Sequence, residues 1–498
     1  MRGPFALALA FALVALALLA GCAVGPDYRR PPVTVPEQIR GQEKPAEVAP
    51  TGAEPSAPAS SDVASLADRA WWEIFQDDAL KALIDEALRN GYDVRLAAWR
   101  VEEARANAGI ARSEFFPQIQ ADGGWSRSRR SGFTSPITQP VNLYDVNLGL
   151  TWEIDLWGRI RRLNEAALAR YLATEEARRG VLLSLVSDVA SSYFRLRELD
   201  FQLEIARRTA TAFQETHSLF SRRLEAGAAS ALETSSAEAS LATTTATIPN
   251  LERQIAAEEN FLALLLGRNP DAIPRGAALN DQPLPLEIPA GLPSDLLKRR
   301  PDIRQTEQDL IAANADVGVT VADFFPTISL TGAFGGVAPQ LSDLFGPGRT
   351  WSVGGGLLTP VFQGRRLKNQ HRAALARWEQ AKVEYERSVT NAFGEVSTAL
   401  TAYQKLAAAE KEQARAVAAY REAVSLSNSR YLGGLSDYLE VLQAQQQLFP
   451  AENSLAQIRF DRLATLVELY RALGGGWKLA DTEWAGPENR AAAGAETR

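Results

Sequence analysis

Val146-Asn147-Leu148-Gly149-Leu150-Thr151-Trp152-Glu153-Ile154 sets an apolar side chain at every even position and a small or polar one at every odd position. A strict period of two puts the apolar set on one face of an extended strand. Ile119, Ala121, Gly123 and Trp125 alternate in the same way with Gln118, Gln120, Asp122 and Gly124. Further on, Ile328, Leu330, Gly332 and Phe334 alternate with Thr327, Ser329, Thr331 and Ala333, and Trp351, Val353, Gly355 and Leu357 make a fourth series. The expected strands are about 118–130, 144–155, 326–337 and 350–361. Strands of this length, with one apolar face and one small, polar face, suit a membrane β-barrel.

Immediately downstream the period changes to helical. Leu182, Leu185, Val189, Ser192, Leu196, Leu199, Leu203, Ala206, Ala210, Phe213, His217, Phe220 and Leu224 follow steps of three and four, the seam of a coiled coil. No Pro interrupts 159–226, so one helix of roughly 100 Å is expected at ~1.5 Å per residue. A less pure seam follows the fourth strand through Val389, Val396, Tyr403, Leu406, Val417, Tyr420 and Val424. Shorter helical patterns flank the long ones, at 78–115, 231–266, 302–323 and 438–473. Helices this long form an extended tube rather than a globule.

The chain also repeats itself. Glu114-Phe115-Phe116-Pro117 returns as Asp323-Phe324-Phe325-Pro326, Arg223-Leu224-Glu225-Ala226-Gly227 as Arg430-Tyr431-Leu432-Gly433-Gly434, and Leu266-Gly267 as Leu473-Gly474. Matches at nearly one offset, in one order, indicate a tandem duplication. The organisation read from this is a signal peptide at 1–21, a Pro-rich lipidated linker at 22–75 and a first repeat at 76–270. An inter-repeat linker at 271–298, a second repeat at 299–477 and a tail at 478–498 complete it. Trp71-Trp72 closes the first linker and is expected to dock it on the main body.

An apolar run from Phe5 to Ala20 ends in Leu19-Ala20-Gly21-Cys22. The run is too short for a membrane span and fits a secretory signal core. Its end resembles a bacterial lipobox, in which the Cys is acylated, so Cys22 is the expected site of a covalent lipid and of outer-membrane anchoring. No other stretch is long and apolar enough for a transmembrane helix, so any crossing must be made with strands. Four strands cannot close a barrel, because the smallest need about eight. An open edge in lipid would leave backbone groups unpaired. The chain must supply part of a barrel shared by symmetric copies; two copies or three both satisfy this.

Composition excludes other classes. The 498 residues carry 53 Lys+Arg against 60 Asp+Glu, a net charge of −7, which argues against nucleic-acid binding. One Cys and two His (His217, His371) leave little for a metal centre or a catalytic triad. The expectation is a protein that is not an enzyme and holds no cofactor or metal, with His217 and His371 as packing or surface residues.

Gly21-Cys22-Ala23-Val24-Gly25-Pro26-Asp27-Tyr28, Leu292-Pro293-Ser294-Asp295-Leu296-Leu297, Arg299-Arg300-Pro301-Asp302-Ile303 and Ala472-Leu473-Gly474-Gly475-Gly476-Trp477 together resemble the lipoprotein branch of the TolC-like outer-membrane factors. The resemblance covers 20–477. It implies an α+β membrane protein, a trimer with one twelve-stranded outer-membrane barrel continued by a helical periplasmic barrel. It also implies an exit duct for efflux pumps, partnered by a periplasmic adaptor and an inner-membrane transporter. The same fold could serve metal-ion efflux or protein export, and a non-conducting structural rod is a third reading. The only methionine is Met1, which tells against a methionine relay for soft metals.

The two helix-to-helix turns carry the candidate sites. Gly227 and Gly434 suit the left-handed position that stops a helix, and Ser230 and Asp437 are the expected N-caps of the next one. An approaching adaptor would meet Gly227 and Gly434 first. By resemblance the pore gate falls on the second turn, where Tyr431, Ser436, Asp437, Glu440 and Gln443 stand. Asp437 and Glu440 would supply a ring of charge and Tyr431 a hydrogen-bonding latch. The family often carries an acid where this chain has Gln443, and sometimes an Arg where it has Ser436. Those departures tell against a second acidic ring and an Arg-mediated lock.

Overall fold

The computed structural model describes residues 23–36, 38–41, 65–129, 131, 133, 139–285, 293–479 and 483–484. The signal run and Cys22 lie outside them, as does the whole tail from Gly486 onward. Two compact units are present: Met1–Pro32 with Arg100–Glu175 and Gln305–Arg387, and Val33–Trp99 with Glu176–Arg304 and Ser388–Arg498.

The series helix, two strands, long helix and shorter helix occurs twice, with one further helix ahead of the first copy. The first half runs α1 (Asp78–Asn90), α2 (Tyr92–Ser113), β1 (Gln118–Ser128), β2 (Val141–Ile154), α3 (Arg159–Glu225) and α4 (Ala231–Leu265). The second runs α5 (Pro301–Ala322), β3 (Thr327–Ala338), β4 (Arg349–Leu358), α6 (Arg366–Leu432) and α7 (Tyr438–Ala472). Helices α3 and α6 are each 67 residues long, and α4 and α7 each 35. Among the described residues no helix is long and apolar enough to cross a membrane.

The helical pattern expected over 78–115 is split at Gly91. A Cβ there would come within 2.5 Å of the Ala87 carbonyl oxygen and 3.2 Å of that of Leu265. The chain leaves the helix at Gly91 (φ −54°, ψ 132°), where the neighbouring carbonyls leave no room for a side chain. Strand β4 stops at Leu358, short of the expected 361, because Pro360 has no N–H to give a ladder. Strand β2 starts at Val141, three residues early.

In the first unit the four strands form one antiparallel sheet in the order β1-β2-β3-β4, with β1 and β4 at its edges. Its register aligns Ile119, Leu150, Gly332 and Val353 in one row, and Ala121, Leu148, Phe334 and Trp351 in the next. Directly opposed residues share a face. Every apolar series read from the sequence therefore lies on the same side of one sheet. The other face carries Gln118, Thr151, Thr331 and Gly354, then Asp122, Asn147, Gly335 and Thr350. Phe334, Leu148, Trp351 and Val353 are exposed in the single chain.

The second unit holds a continuous apolar core. Trp71, Leu80 and Ile84 pack with Leu182, Val186, Val189, Tyr193, Leu196 and Leu199 of α3 and with Leu463, Leu466 and Tyr470 of α7. The coiled-coil seam of α3 is buried over most of its length, together with the adjacent Val186, Ala190, Tyr193 and Ile205. Trp71 docks as expected: it is fully buried, and its Nε1–H donates to the Trp484 carbonyl at 3.0 Å. Over 273–282 the inter-repeat segment is packed rather than free. Asp77 caps α1 and accepts from Tyr193 Oη (2.9 Å), the Ala277 N–H (2.9 Å) and Gln282 Nε2 (2.8 Å).

Candidate functional site

Both helix-to-helix turns lie in the second unit and share one backbone solution. Gly227 (φ 70°) and Gly434 (φ 69°) take the left-handed conformation. The Ala228 N–H closes back to the Arg223 carbonyl at 2.7 Å, and the Leu435 N–H to that of Arg430 at 2.9 Å, which satisfies carbonyls that the helix end leaves open. A side chain built at either glycine would meet open space. Phe220 packs on Tyr438 (ring centroids 4.4 Å apart) and Tyr431 (6.2 Å), which seats the two turns on a small apolar cluster with Phe213, Val441 and Leu442. Burial pushes the Tyr438 phenol above its usual range, so it stays neutral. Around the turns Leu232, Leu432, Leu435 and Leu439 are exposed.

The polar side chains of the two turns do different things. Ser230 caps α4 in a reciprocal box: its Oγ accepts from the Glu233 N–H at 3.2 Å, and Glu233 Oε2 accepts from the Ser230 N–H at 2.8 Å. Asp437 occupies the N-cap position of α7, but its carboxylate makes no capping hydrogen bond. The capping role expected for Asp437 is therefore met by backbone position alone, and its exposed carboxylate has no partner among the described residues. Glu440 instead pairs with Arg430 at 3.3 Å. Tyr431 accepts a hydrogen bond from Arg223, whose guanidinium sits 5.4 Å from the ring centroid. The Ser436 hydroxyl is buried without a partner among the described residues. Gln443 is exposed on the following turn of α7.

Arg223 and Arg430 were absent from the sequence candidates. The signal was available, since they stand at one position of the two repeats, 207 residues apart. His217 is half-buried on the α3 seam with Ser221 Oγ at 3.5 Å, and His371 sits 3.0 Å from Thr320 Oγ1, so each has an ordinary neighbour.

A second cluster, in the first unit, ties down the segment that follows Cys22. The Val24 N–H donates to the Trp157 carbonyl (3.0 Å), and Asn314 Nδ2 donates to that of Pro26 (2.9 Å). Asp27 pairs with the buried Arg162 (2.7 Å), while Tyr28 and Arg30 both donate to Glu307. Gly25 (φ 100°) passes so close to Gly318 that a Cβ would lie 2.6 Å from its Cα. Burial, then the Glu307 carboxylate, hold the Tyr28 phenol above its usual range. Over 23–32 the Pro-rich linker is thus a fixed strap. Its fixed end, Ala23, sits against Gly158 at the β2–α3 turn and is bonded directly to Cys22.

The sequence profile of the outer membrane efflux protein family matches this chain twice, over residues 83–268 and 292–475. The chain belongs to that family. It is 36% identical over 472 residues to the solvent efflux pump outer membrane protein SrpC of Pseudomonas putida, covering 94% of this chain and 98% of that protein. It is 34% identical over 481 residues to the cation efflux system protein CusC of an Escherichia coli strain, covering 95% and 98%. The crystal structure of a membrane protein from Pseudomonas aeruginosa superposes with a TM-score of 0.82 at 33% identity, covering 91% of this chain and all of that one. This member of the family is an efflux protein of the outer membrane.

Proposed function

We propose that the protein is the passive exit duct of a tripartite efflux system, discharging small toxic compounds through the outer membrane. The observation that carries this is the sheet. Four strands present one continuous apolar face and one small, polar face, and end in the two edges β1 and β4. Edges are not tolerated in lipid, so copies must join β4 to β1; three of them, the number that the family resemblance implies, give a closed barrel of twelve strands, lined by the polar face. The two halves of the chain are the products of a tandem duplication, each contributing two strands, one long helix and its hairpin partner.

Cys22 carries a covalent lipid in this reading. The strap over 23–32 supports it, because it holds the residue after Cys22 at the helix-proximal end of the sheet, where an acyl anchor reaches the inner leaflet. The turns form the closable end. Asp437 and Glu440, repeated by symmetry, supply a charged constriction. Arg430–Glu440 and Arg223–Tyr431 are exposed contacts that each contribute little, about 0–1 kcal/mol for an ion pair, and break readily on opening. Ser436 and Gln443 line the same segment. Gly227, Gly434 and the exposed leucines around them offer an apolar surface to a periplasmic adaptor, which links the duct to an inner-membrane transporter. The CusC likeness favours cations as a second cargo class, although no methionine follows Met1 to coordinate soft metals in this chain.

The test is conductance in planar bilayers together with two substitutions on adjacent residues. Leu148→Arg places a charge on the apolar face at a cost of roughly 2–4 kcal/mol near the bilayer midplane. It is expected to reduce assembly in membranes. Asn147→Arg, on the other face, is expected to assemble and lower cation conductance. Equal tolerance at both positions, or an assembled protein that does not conduct, would overturn the proposal.

A further inference from the structure

The strands end differently at the two ends of the sheet. At the helix-proximal end the arginines are neutralised: Arg159 forms two bonds to Glu153 (2.8 and 2.7 Å) and Arg161 pairs with Asp155 (3.2 Å). At the opposite end β1 closes on Trp125-Ser126-Arg127-Ser128, followed by Arg129, and β4 opens on Arg349-Thr350-Trp351. Register puts Trp125 opposite Tyr144, Arg127 opposite Asn142, Trp351 opposite Phe334 and Arg349 opposite Gly336. Trp125, Arg127, Trp351 and Arg349 therefore all stand on the apolar face, and each arginine is one pleat beyond a tryptophan.

Arg127, Arg129 and Arg349 are exposed and have no carboxylate partner among the described residues. Residues 129–140, joining β1 to β2, contain no acid and add Arg130 in sequence. The single acid of the β3–β4 connection, Asp343, accepts from Ser342 at 3.2 Å. A chain of net charge −7 thus carries an unneutralised basic rim on its lipid-facing side. Arginine on a lipid face is tolerated near the interface, not at the midplane. Tryptophans mark the interface itself, and the planar guanidinium fork fits phosphate oxygens.

We propose that Arg127 and Arg349, each capping a tryptophan on the lipid-facing side of an edge strand, clamp the phosphates of an outer-leaflet lipid headgroup at the seam between neighbouring copies. Arg129 adds attraction beside Arg127. The inference rests on the barrel reading above, in which β1 and β4 meet across that seam and the helix-distal end faces outward.

The experiment uses the full-length protein in phosphatidylcholine vesicles doped with bisphosphorylated lipid A, re-extracted and passed over a sizing column, with bound lipid measured by mass spectrometry. Wild-type protein is expected to retain lipid A. The Arg127→Ala/Arg349→Ala variant is expected to retain about tenfold less or lower still, since two charge-assisted contacts are lost. Arg127→Lys/Arg349→Lys, which keeps the charge without the fork, is expected to fall between them. Equal retention by wild type and the alanine variant would overturn the clamp. So would equal retention of dephosphorylated lipid A, or equal capture of phosphatidylglycerol, which would show a general preference for anionic surfaces. Conductance on the same samples separates the two readings: conducting protein without retention overturns the clamp alone, and protein that neither conducts nor retains overturns both.

Discussion

At Ser230 and Glu233 the first turn closes on itself; 207 residues later Asp437 and Glu440 hold the same places and leave the cap unmade. The backbones match, down to left-handed glycines one degree apart in φ. The difference is in side chains. The first turn satisfies its helix start locally, as any stable hairpin would. Among the described residues, the second leaves Asp437 free, Ser436 unpartnered and Glu440 drawn to Arg430. Where a local rule is kept in one repeat and broken in its copy, the broken one is the place to look for function.

Substitutions in the two turns put that contrast to the test. The largest effect is expected from Gly434→Trp, which should abolish efflux complementation without lowering the level of assembled protein. There is room for the side chain in the isolated chain, so the damage would be obstruction of a partner plus left-handed strain of about 1–2 kcal/mol. Gly227→Trp is expected to do the same. Normal complementation by both would remove the turns from the adaptor contact.

Next in size is Asp437→Asn/Glu440→Gln. Single-channel conductance and cation preference should change, most visibly at low salt, where charge is least screened. Glu233→Gln in the first turn should leave both unchanged. If the two turns respond alike, the asymmetry is structural and has no bearing on the gate.

Tyr431→Phe removes the acceptor for Arg223 while keeping the aromatic cluster with Phe220 and Tyr438. A modest rise in open-channel events at unchanged conductance is the expected outcome, and an unchanged open probability would discard the latch. The smallest effect is on stability. Ser230→Ala should cost about 1 kcal/mol locally, seen as faster amide exchange at the start of α4. Asp437→Ala, which removes no capping bond, should leave exchange at the start of α7 unchanged.

Much of this molecule was legible in its sequence, because the features concerned are local and periodic. Alternation gave each of the four strands one apolar face, and the register stacks those faces on one side of a single sheet. The uninterrupted stretch 159–226 anticipated the first 67-residue helix to within a residue, whereas the second seam, read through Val389 to Val424, marks only the middle of a helix that runs Arg366–Leu432; Gly227 and Gly434 announced their own φ angles. Strand ends and the break at Gly91 were missed because they depend on a neighbouring carbonyl or on where a ladder partner stops. The polar site was less legible still. Glu233 and Glu440 are the same residue at the same position of two repeats, so no local rule separates a cap from an ion pair. The arginines decide it: Arg223 is drawn to Tyr431 of the other turn, which leaves Glu233 to the local Ser230 N–H, whereas its counterpart Arg430 pairs with Glu440. The strap was hidden for the same reason. Tyr28 and Arg30 meet Glu307 across some 280 residues of chain, and contacts of that separation exist only once the helices between them have packed.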